Sequence, residues 1–284
     1  MAPRIRVRPA AVAGLFYPDD PVVLRSTVES LLAAPTSALQ SAPAAPSSQA
    51  ASGRPPKAVI APHAGYSYSG PIAASAFASL ASAASSIRRV VLLGPSHRVP
   101  LRGLGLPGVE SFATPLGTVP LDLDAAAAAE RLPQVAVRPD AHEAEHSLEV
   151  ELPFLQVLLG RFELLPLVVG QAGGDEVAEV LEQAWEGEDT VLVISSDLSH
   201  YLPAEAAERV DRETATQIMA LRGPLTTRQA CGAMPINGLL VAARRRGLVP
   251  RQLDLRHSGD TSGDRSRVVG YGAWAFDEHG AARA

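Results

Sequence analysis

Three stretches of the chain open as unbroken apolar runs and close on a histidine. They are Lys57-Ala-Val-Ile-Ala-Pro-His63, Arg89-Val-Val-Leu-Leu-Gly-Pro-Ser-His97 and Thr190-Val-Leu-Val-Ile-Ser-Ser-Asp-Leu-Ser-His200. Apolar runs without polar alternation suit central strands of a sheet covered on both faces. Elsewhere the apolar spacing is that of helices. It predicts an amphipathic helix over 22–32, after the turn at Pro18-Asp-Asp-Pro21. Strands are expected at 57–61, 88–93, 134–138, 162–169, 190–196, 248–256 and 267–276. Helices are expected between them at 71–85, 122–131, 148–159, 174–186, 203–221 and 235–246. This alternation predicts one α/β domain over residues 1–284, with a largely parallel central sheet flanked by helices. Residues 34–56 break the pattern. They form an Ala/Pro/Ser low-complexity segment that buries too little to offset its ordering entropy, and they are expected to be a flexible loop.

Composition narrows the function classes. The 284 residues carry 25 Lys+Arg against 30 Asp+Glu, a net charge of −5. Lys57 is the only lysine, and the sole arginine block, Arg244-Arg-Arg246, sits where it suits a helix C-terminus. No nucleic-acid footprint is present. One cysteine, Cys231, excludes an intrachain disulfide and fits a reducing cytoplasm. The start of the chain, Arg4-Ile-Arg-Val-Arg8 followed by an apolar stretch to Phe16, imitates a signal peptide but is too short and lacks a cleavage site. No stretch approaches the roughly 18 apolar residues of a membrane span. A soluble, cytoplasmic protein without membrane or nucleic-acid partners is expected.

In sheets of this kind ligands bind beyond the carboxyl ends of the strands. Three histidines delivered to one such edge predict a metal or acid–base site. His63 leads into a Gly/Tyr/Ser loop, Ala64 to Gly70, that opens a helix. Its plain alternative is a tight strand-to-helix turn, and the repeat of the theme in Leu93-Gly-Pro-Ser-His97 weighs against that. Asp197, three residues before His200, can orient the imidazole or hold it protonated. Alternatively Asp197 or Ser199 caps the following helix. His142-Glu-Ala-Glu-His146 matches the H-E-x-x-H zinc-protease pattern. That chemistry needs both histidines on one continuous helix, whereas Pro139, Glu145 and Pro153 make the context poor. The segment is expected to be a loop that carries His146 toward the pocket and leaves His142 outside it. Cys231 precedes a Gly turn and a helix, a position that lowers a thiol pKa and suits metal ligation or nucleophilic attack. The bland alternative is a buried small hydrophobe. His257-Ser-Gly-Asp-Thr-Ser-Gly-Asp264 could hold phosphate or a cation, although a surface loop is the simpler expectation.

These residues resemble the Memo family, named for a mediator of cell motility, whose bacterial members are called AmmeMemoRadiSam system protein B. The resemblance runs through Ala11-Val-Ala-Gly-Leu-Phe-Tyr-Pro18, Ala61-Pro-His-Ala-Gly-Tyr66, Leu93-Gly-Pro-Ser-His97, Glu145-His-Ser-Leu-Glu149, Ser195-Ser-Asp-Leu-Ser-His200, Cys231-Gly-Ala-Met-Pro-Ile236 and Val269-Gly-Tyr-Gly272. It covers nearly the whole chain, with the 34–56 insert as the main departure. The resemblance implies a fold similar to class III extradiol dioxygenases, which carry non-haem Fe(II) on two histidines and a carboxylate. It implies His63 and His97 as metal ligands, with Cys231 where the dioxygenases place the carboxylate. His200 matches their acid–base histidine, with Asp197 beside it, and His146 and Tyr66 are expected in the pocket. A thiolate ligand shifts preference toward softer ions, so one transition-metal ion is expected: Fe(II) or Cu, with Zn as a further candidate. The implied function is a metal-dependent redox enzyme acting on an unidentified small-molecule or peptide ligand. The alternatives are a non-catalytic metal- or partner-binding protein, as the phosphotyrosine-type ligands of human members suggest, and a cysteine- or zinc-dependent hydrolase. The bacterial name further implies a functional link to AMMECR-type and radical SAM proteins.

Overall fold

The computed structural model describes residues 6–34 and 55–278. The expected flexible loop at 34–56 lies almost wholly outside the described residues. In chain order the elements begin with β1 (Val7–Arg8), α1 (Pro21–Ala33), β2 (Ala58–Ala61), α2 (Tyr66–Ala78) and β3 (Arg89–Pro95). There follow β4 (Leu104–Leu106), β5 (Ser111–Thr114), β6 (Gly117–Pro120), α3 (Leu123–Ala129), β7 (Val135–Val137), α4 (Pro139–Glu143) and α5 (Leu152–Leu159). The second half contains β8 (Glu163–Val169), α6 (Gly174–Ala184), β9 (Thr190–Ser195), β10 (His200–Leu202) and α7 (Ala204–Met219). It ends with α8 (Ala233–Arg246), β11 (Val249–His257), α9 (Ser258–Ser262) and β12 (Val268–Asp277).

The main sheet runs β10-β12-β2-β9-β3-β8-β4-β7, with β11 also paired to β12. Only part of it meets the largely parallel expectation. The strands β2, β9, β3 and β8 are mutually parallel. The flanks are mixed: β12 is antiparallel to β2, β11 and β10, and β4 is antiparallel to β8. The connection from β11 to β12 is short, and a parallel pairing needs a crossover of a dozen or more residues. A separate three-stranded sheet joins β1, β5 and β6. These short strands lack a period-two pattern long enough to be read from sequence.

The apolar runs are explained by what covers them. Along β2, β3 and β9, alternate residues enter two different cores. Val59, Val90, Leu92, Val191 and Val193 face one core, with α1, α2 and α5 packed against it. Ile60, Val91, Leu93, Leu192 and Ile194 face the other, covered by α6, α7 and α8. With both faces dry the middles of these strands stay apolar, and each fully buried Val, Leu or Ile contributes about 1.5–3 kcal/mol. Helix α2 starts at Tyr66, five residues before the expected 71, and keeps Pro71 within it. No helix among the described residues is long and apolar enough to cross a membrane.

Candidate metal centre

The central strands β2, β9 and β3 lie side by side, with Ala61 opposite Ser195 and Leu93 opposite Ile194. Their carboxyl ends therefore emerge together, and the turns after them bring His63 beside His97. The third imidazole of the cluster is His146, expected in the pocket, while His200, expected as the acid–base histidine, stands apart from the three. The ligand-capable atoms of His63, His97 and His146 all lie within 4.8 Å of one another. Ring centroids are 5.3 Å apart for His63 and His97, 5.4 Å for His63 and His146, and 4.7 Å for His97 and His146. His200 is displaced because the chain leaves β9 at Ser195 and its next residues turn onto β12. There Leu198 donates to Gly270 O and Ser199 accepts from Gly270 N–H.

His146 reaches the cluster from a loop. Helix α4 ends at Glu143, so the H-E-x-x-H segment is no continuous helix and the zinc-protease arrangement is absent. His142 is buried elsewhere, its Nε2 2.8 Å from Gly105 O, and burial holds its pKa down at about 4. Arg8 clamps the turn by donating to His142 O and Glu145 O. Gly94 explains the tightness of Leu93-Gly-Pro-Ser-His97: a Cβ there would sit 2.8 Å from Ser147 Oγ. Only glycine lets the 145–148 turn lie against β3.

His63 and His97 are oriented through Nδ1, which leaves their Nε2 for the centre. His97 Nδ1 is 2.9 Å from Glu145 Oε1, and its backbone N–H donates to Glu145 Oε2 at 2.6 Å. The same carboxylate accepts from the backbone N–H of His146 and Ser147 at 2.9 and 3.0 Å. His146 Nδ1 stands 3.2 Å from Glu145 Oε1, near enough for charge attraction but without hydrogen-bond alignment. Burial alone would raise the Glu145 carboxyl, yet the His146 and His97 contacts win and hold it well below the usual range. His63 Nδ1 is 2.7 Å from Ser195 Oγ, and that oxygen lies 2.6 Å from Ser147 O and 2.7 Å from Glu151 Oε1. Burial, reinforced by His97 and His146, pushes the His63 pKa well down. A neutral imidazole is the ligating form.

Cys231 Sγ is 3.4 Å from His63 Nε2. The thiol does not share the mutual closeness of the three imidazoles, but it touches one of them. Gly232 allows this, because a Cβ there would approach Ser196 Cβ to 2.6 Å. The expected thiol-lowering effect of a helix N-terminus does not prevail: burial first, then the Asp197 charge, push the thiol well up.

Asp197 does not orient His200. Its Oδ1 accepts the His63 backbone N–H at 2.8 Å, and burial raises its carboxyl to about 7. Neither Asp197 nor Ser199 caps α7, whose N-cap Pro203 has no side-chain bond. His200 Nδ1 lies 2.8 Å from Leu198 O, so Nδ1 carries the proton and Nε2 the lone pair. Burial lowers the His200 pKa, with His97 adding to the effect. His200 lines a cavity of about 830 Å³ together with Ser96, His97, Tyr201, Arg228 and Cys231. Tyr66 is not on that wall. It is 6% exposed, its hydroxyl donates to Val150 O, and its ring packs on Phe154. The 257–264 segment is an ion-pair cluster, with buried His257 between Glu208 and Asp260 and Arg265 bridging both acids.

The residues that sequence reasoning missed are the buried acids of one stretch, Glu145, Glu149 and Glu151, together with Ser195. Glu149 pairs with Arg8 at 2.6 Å and accepts from Tyr17 Oη and from the Ala11 and Val12 amides, fastening the N-terminal segment. The signal was present. Glu149 and Glu151 alternate with Leu148, Val150 and Leu152, a mixture a solvated face does not need.

A sequence model of the family described as "Memo-like protein" matches residues 8–275. Curated relatives called MEMO1 family proteins match over almost their full length. The one from Methanothermobacter thermautotrophicus is 36% identical, covering 93% of this chain and 98% of the relative. Those from Aeropyrum pernix and Aquifex aeolicus are 37% and 34% identical, covering 95% and 94% of this chain and 99% and 98% of theirs.

Proposed function

The chain belongs to the Memo-like protein family, and from that premise we propose that it binds one transition-metal ion and acts as a metal-dependent redox enzyme on a ligand admitted through the cavity. The observation that carries the reading is the three-imidazole cluster with a thiol against one member. His63, His97 and His146 supply nitrogen donors, and Cys231 supplies a sulfur donor beside His63. Two such donors on one tetrahedrally bound ion stand roughly 3.5 Å apart, and Cys231 Sγ and His63 Nε2 are 3.4 Å apart. The buried carboxylate behind His97 and His146 supports it further, since ligating histidines ordinarily give their second nitrogen to such a group. A mixed imidazole–thiol set suits Fe(II), Cu or Zn.

When bound, the ion supplies Lewis acidity and, for iron or copper, an electron. The rest is the work of the protein's own side chains. His200, neutral and with its Nε2 lone pair free, receives a proton from a hydroxyl of the ligand. Asp197 holds the backbone at His63 and so fixes the turn that presents the imidazole. Arg228, the one fixed charge on the cavity wall among the described residues, meets the ligand there.

Elemental analysis after anaerobic reconstitution with Fe(II), followed by oxygen consumption with a catechol-like substrate, tests the proposal. Stoichiometric iron and rapid oxygen uptake support it. Metal without turnover of any screened substrate favours the binding-protein reading. His200→Gln is expected to keep near-stoichiometric metal and lose about 10²–10⁴-fold in turnover; loss of metal would make His200 a ligand. A second reading draws on the same Cys231–His63 contact, as a thiol with an imidazole base. Activity that survives chelation but not thiol alkylation would establish it. The raised thiol pKa weighs against it.

A further inference from the structure

Ser195 Oγ has three polar neighbours at hydrogen-bond distance: His63 Nδ1 at 2.7 Å, Ser147 O at 2.6 Å and Glu151 Oε1 at 2.7 Å. A serine hydroxyl donates once and accepts twice. The Ser147 carbonyl can only accept, so it takes the single serine proton; any other assignment leaves two acceptors facing each other at 2.6 Å. Both remaining neighbours must then donate. His63 therefore carries its proton on Nδ1, and Glu151 carries a proton on Oε1.

We propose that Glu151 is a positioning residue of the metal centre that works as a neutral carboxylic acid: by donating to Ser195 instead of competing for its proton, it keeps that proton on the Ser147 carbonyl and a serine lone pair toward His63 Nδ1–H, which leaves the His63 Nε2 lone pair toward the ion. The surroundings agree with the count. Glu151 is 0% exposed, and its Oε2 has no hydrogen-bond partner. No ion pair reaches it among the described residues, and an isolated buried carboxylate is strongly disfavoured. Burial, with Asp197 adding to it, holds the carboxyl well above its ordinary range. The serine thus lies between two proton donors, and an acceptor in place of either would compete with the Ser147 carbonyl for its one proton.

The consequence for the ion rests on His63 being a ligand, as proposed above, whereas the tautomer itself does not. Glutamine at 151 offers a permanent N–H donor where the acid offers O–H. Glu151→Gln is therefore expected to bind Co(II), followed by its visible absorption, within about threefold of the parent. Glu151→Ala leaves Ser195 short of a donor and is expected to lose about 10–100-fold, the usual range for partners of metal-bound histidines. Infrared difference spectra of the parent against Glu151→Gln are expected to show a deuterium-sensitive protonated-carboxyl band at neutral pH. Nitrogen NMR of metal-free protein is expected to show His63 protonated at Nδ1. Equal damage from Glu151→Gln and Glu151→Ala, a missing carboxyl band, or His63 protonated at Nε2 overturns the proposal. If the parent binds no Co(II), the metal reading fails, and the band and the NMR tautomer still decide the role of Glu151. Should Glu151→Ala not fold, the glutamine variant and the two spectra suffice.

Discussion

Glu145 and Glu151 stand six residues apart in one segment, both buried, both behind the three-histidine cluster, and in opposite charge states. Glu145 gathers the N–H groups of His97, His146 and Ser147 and the His97 ring, and is ionised. Glu151 meets one hydroxyl through Oε1, leaves Oε2 without a hydrogen-bond partner, and is neutral. Burial acts on both in the same direction. The number and kind of donors within reach decide which one keeps its proton. The two ends of the segment therefore support the imidazoles differently, by charge under His97 and His146 and by tautomer under His63.

The largest expected effect comes from the acid between them. Glu149→Gln removes the partner of buried Arg8 and should lower unfolding free energy by about 3–5 kcal/mol, read by chemical denaturation. A loss under about 1 kcal/mol would show that charge at this position is dispensable, and the contrast with Glu151 would weaken.

Next comes Glu145→Gln, which deprives His97 and His146 of their anionic support. Co(II) affinity is expected to fall about 10–100-fold, against the near-neutral effect of Glu151→Gln. Equal affinities for the two glutamine variants would erase the difference between the two carboxylates.

The third effect is a pH dependence. Unfolded, Glu151 ionises with a pKa of about 4.3; folded, burial holds it protonated to higher pH. Its stabilising contribution is therefore full below about pH 4.3 and is lost as pH rises toward the folded value. The slope is about 1.4 kcal/mol per pH unit. Glu151→Gln should gain on the parent in unfolding free energy between about pH 5 and 7. A difference flat across that range would mean that Glu151 is ionised in the folded state.

The sequence alone determined the central strands and the edge at which chemistry gathers. Unbroken apolar runs ending in Pro-His or Pro-Ser-His are compatible with little besides a doubly covered strand and a turn. The pattern put His63 and His97 at one sheet edge and the resemblance paired them, while the prolines around His142-Glu-Ala-Glu-His146 set the zinc-protease reading aside. Only the tertiary structure decided the third histidine. His200 lies beyond a strand of its own, yet Gly270 draws residues 198 and 199 onto β12, while a loop with no periodic signal inserts His146. The antiparallel pairing of β4 with β8 and the charge state of Glu151 were likewise set by partners more than 40 residues away in the chain, and that of Glu145 in part by His97, equally distant. Periodicity reports which face of an element is buried; it carries no record of which distant donor will meet a buried acid.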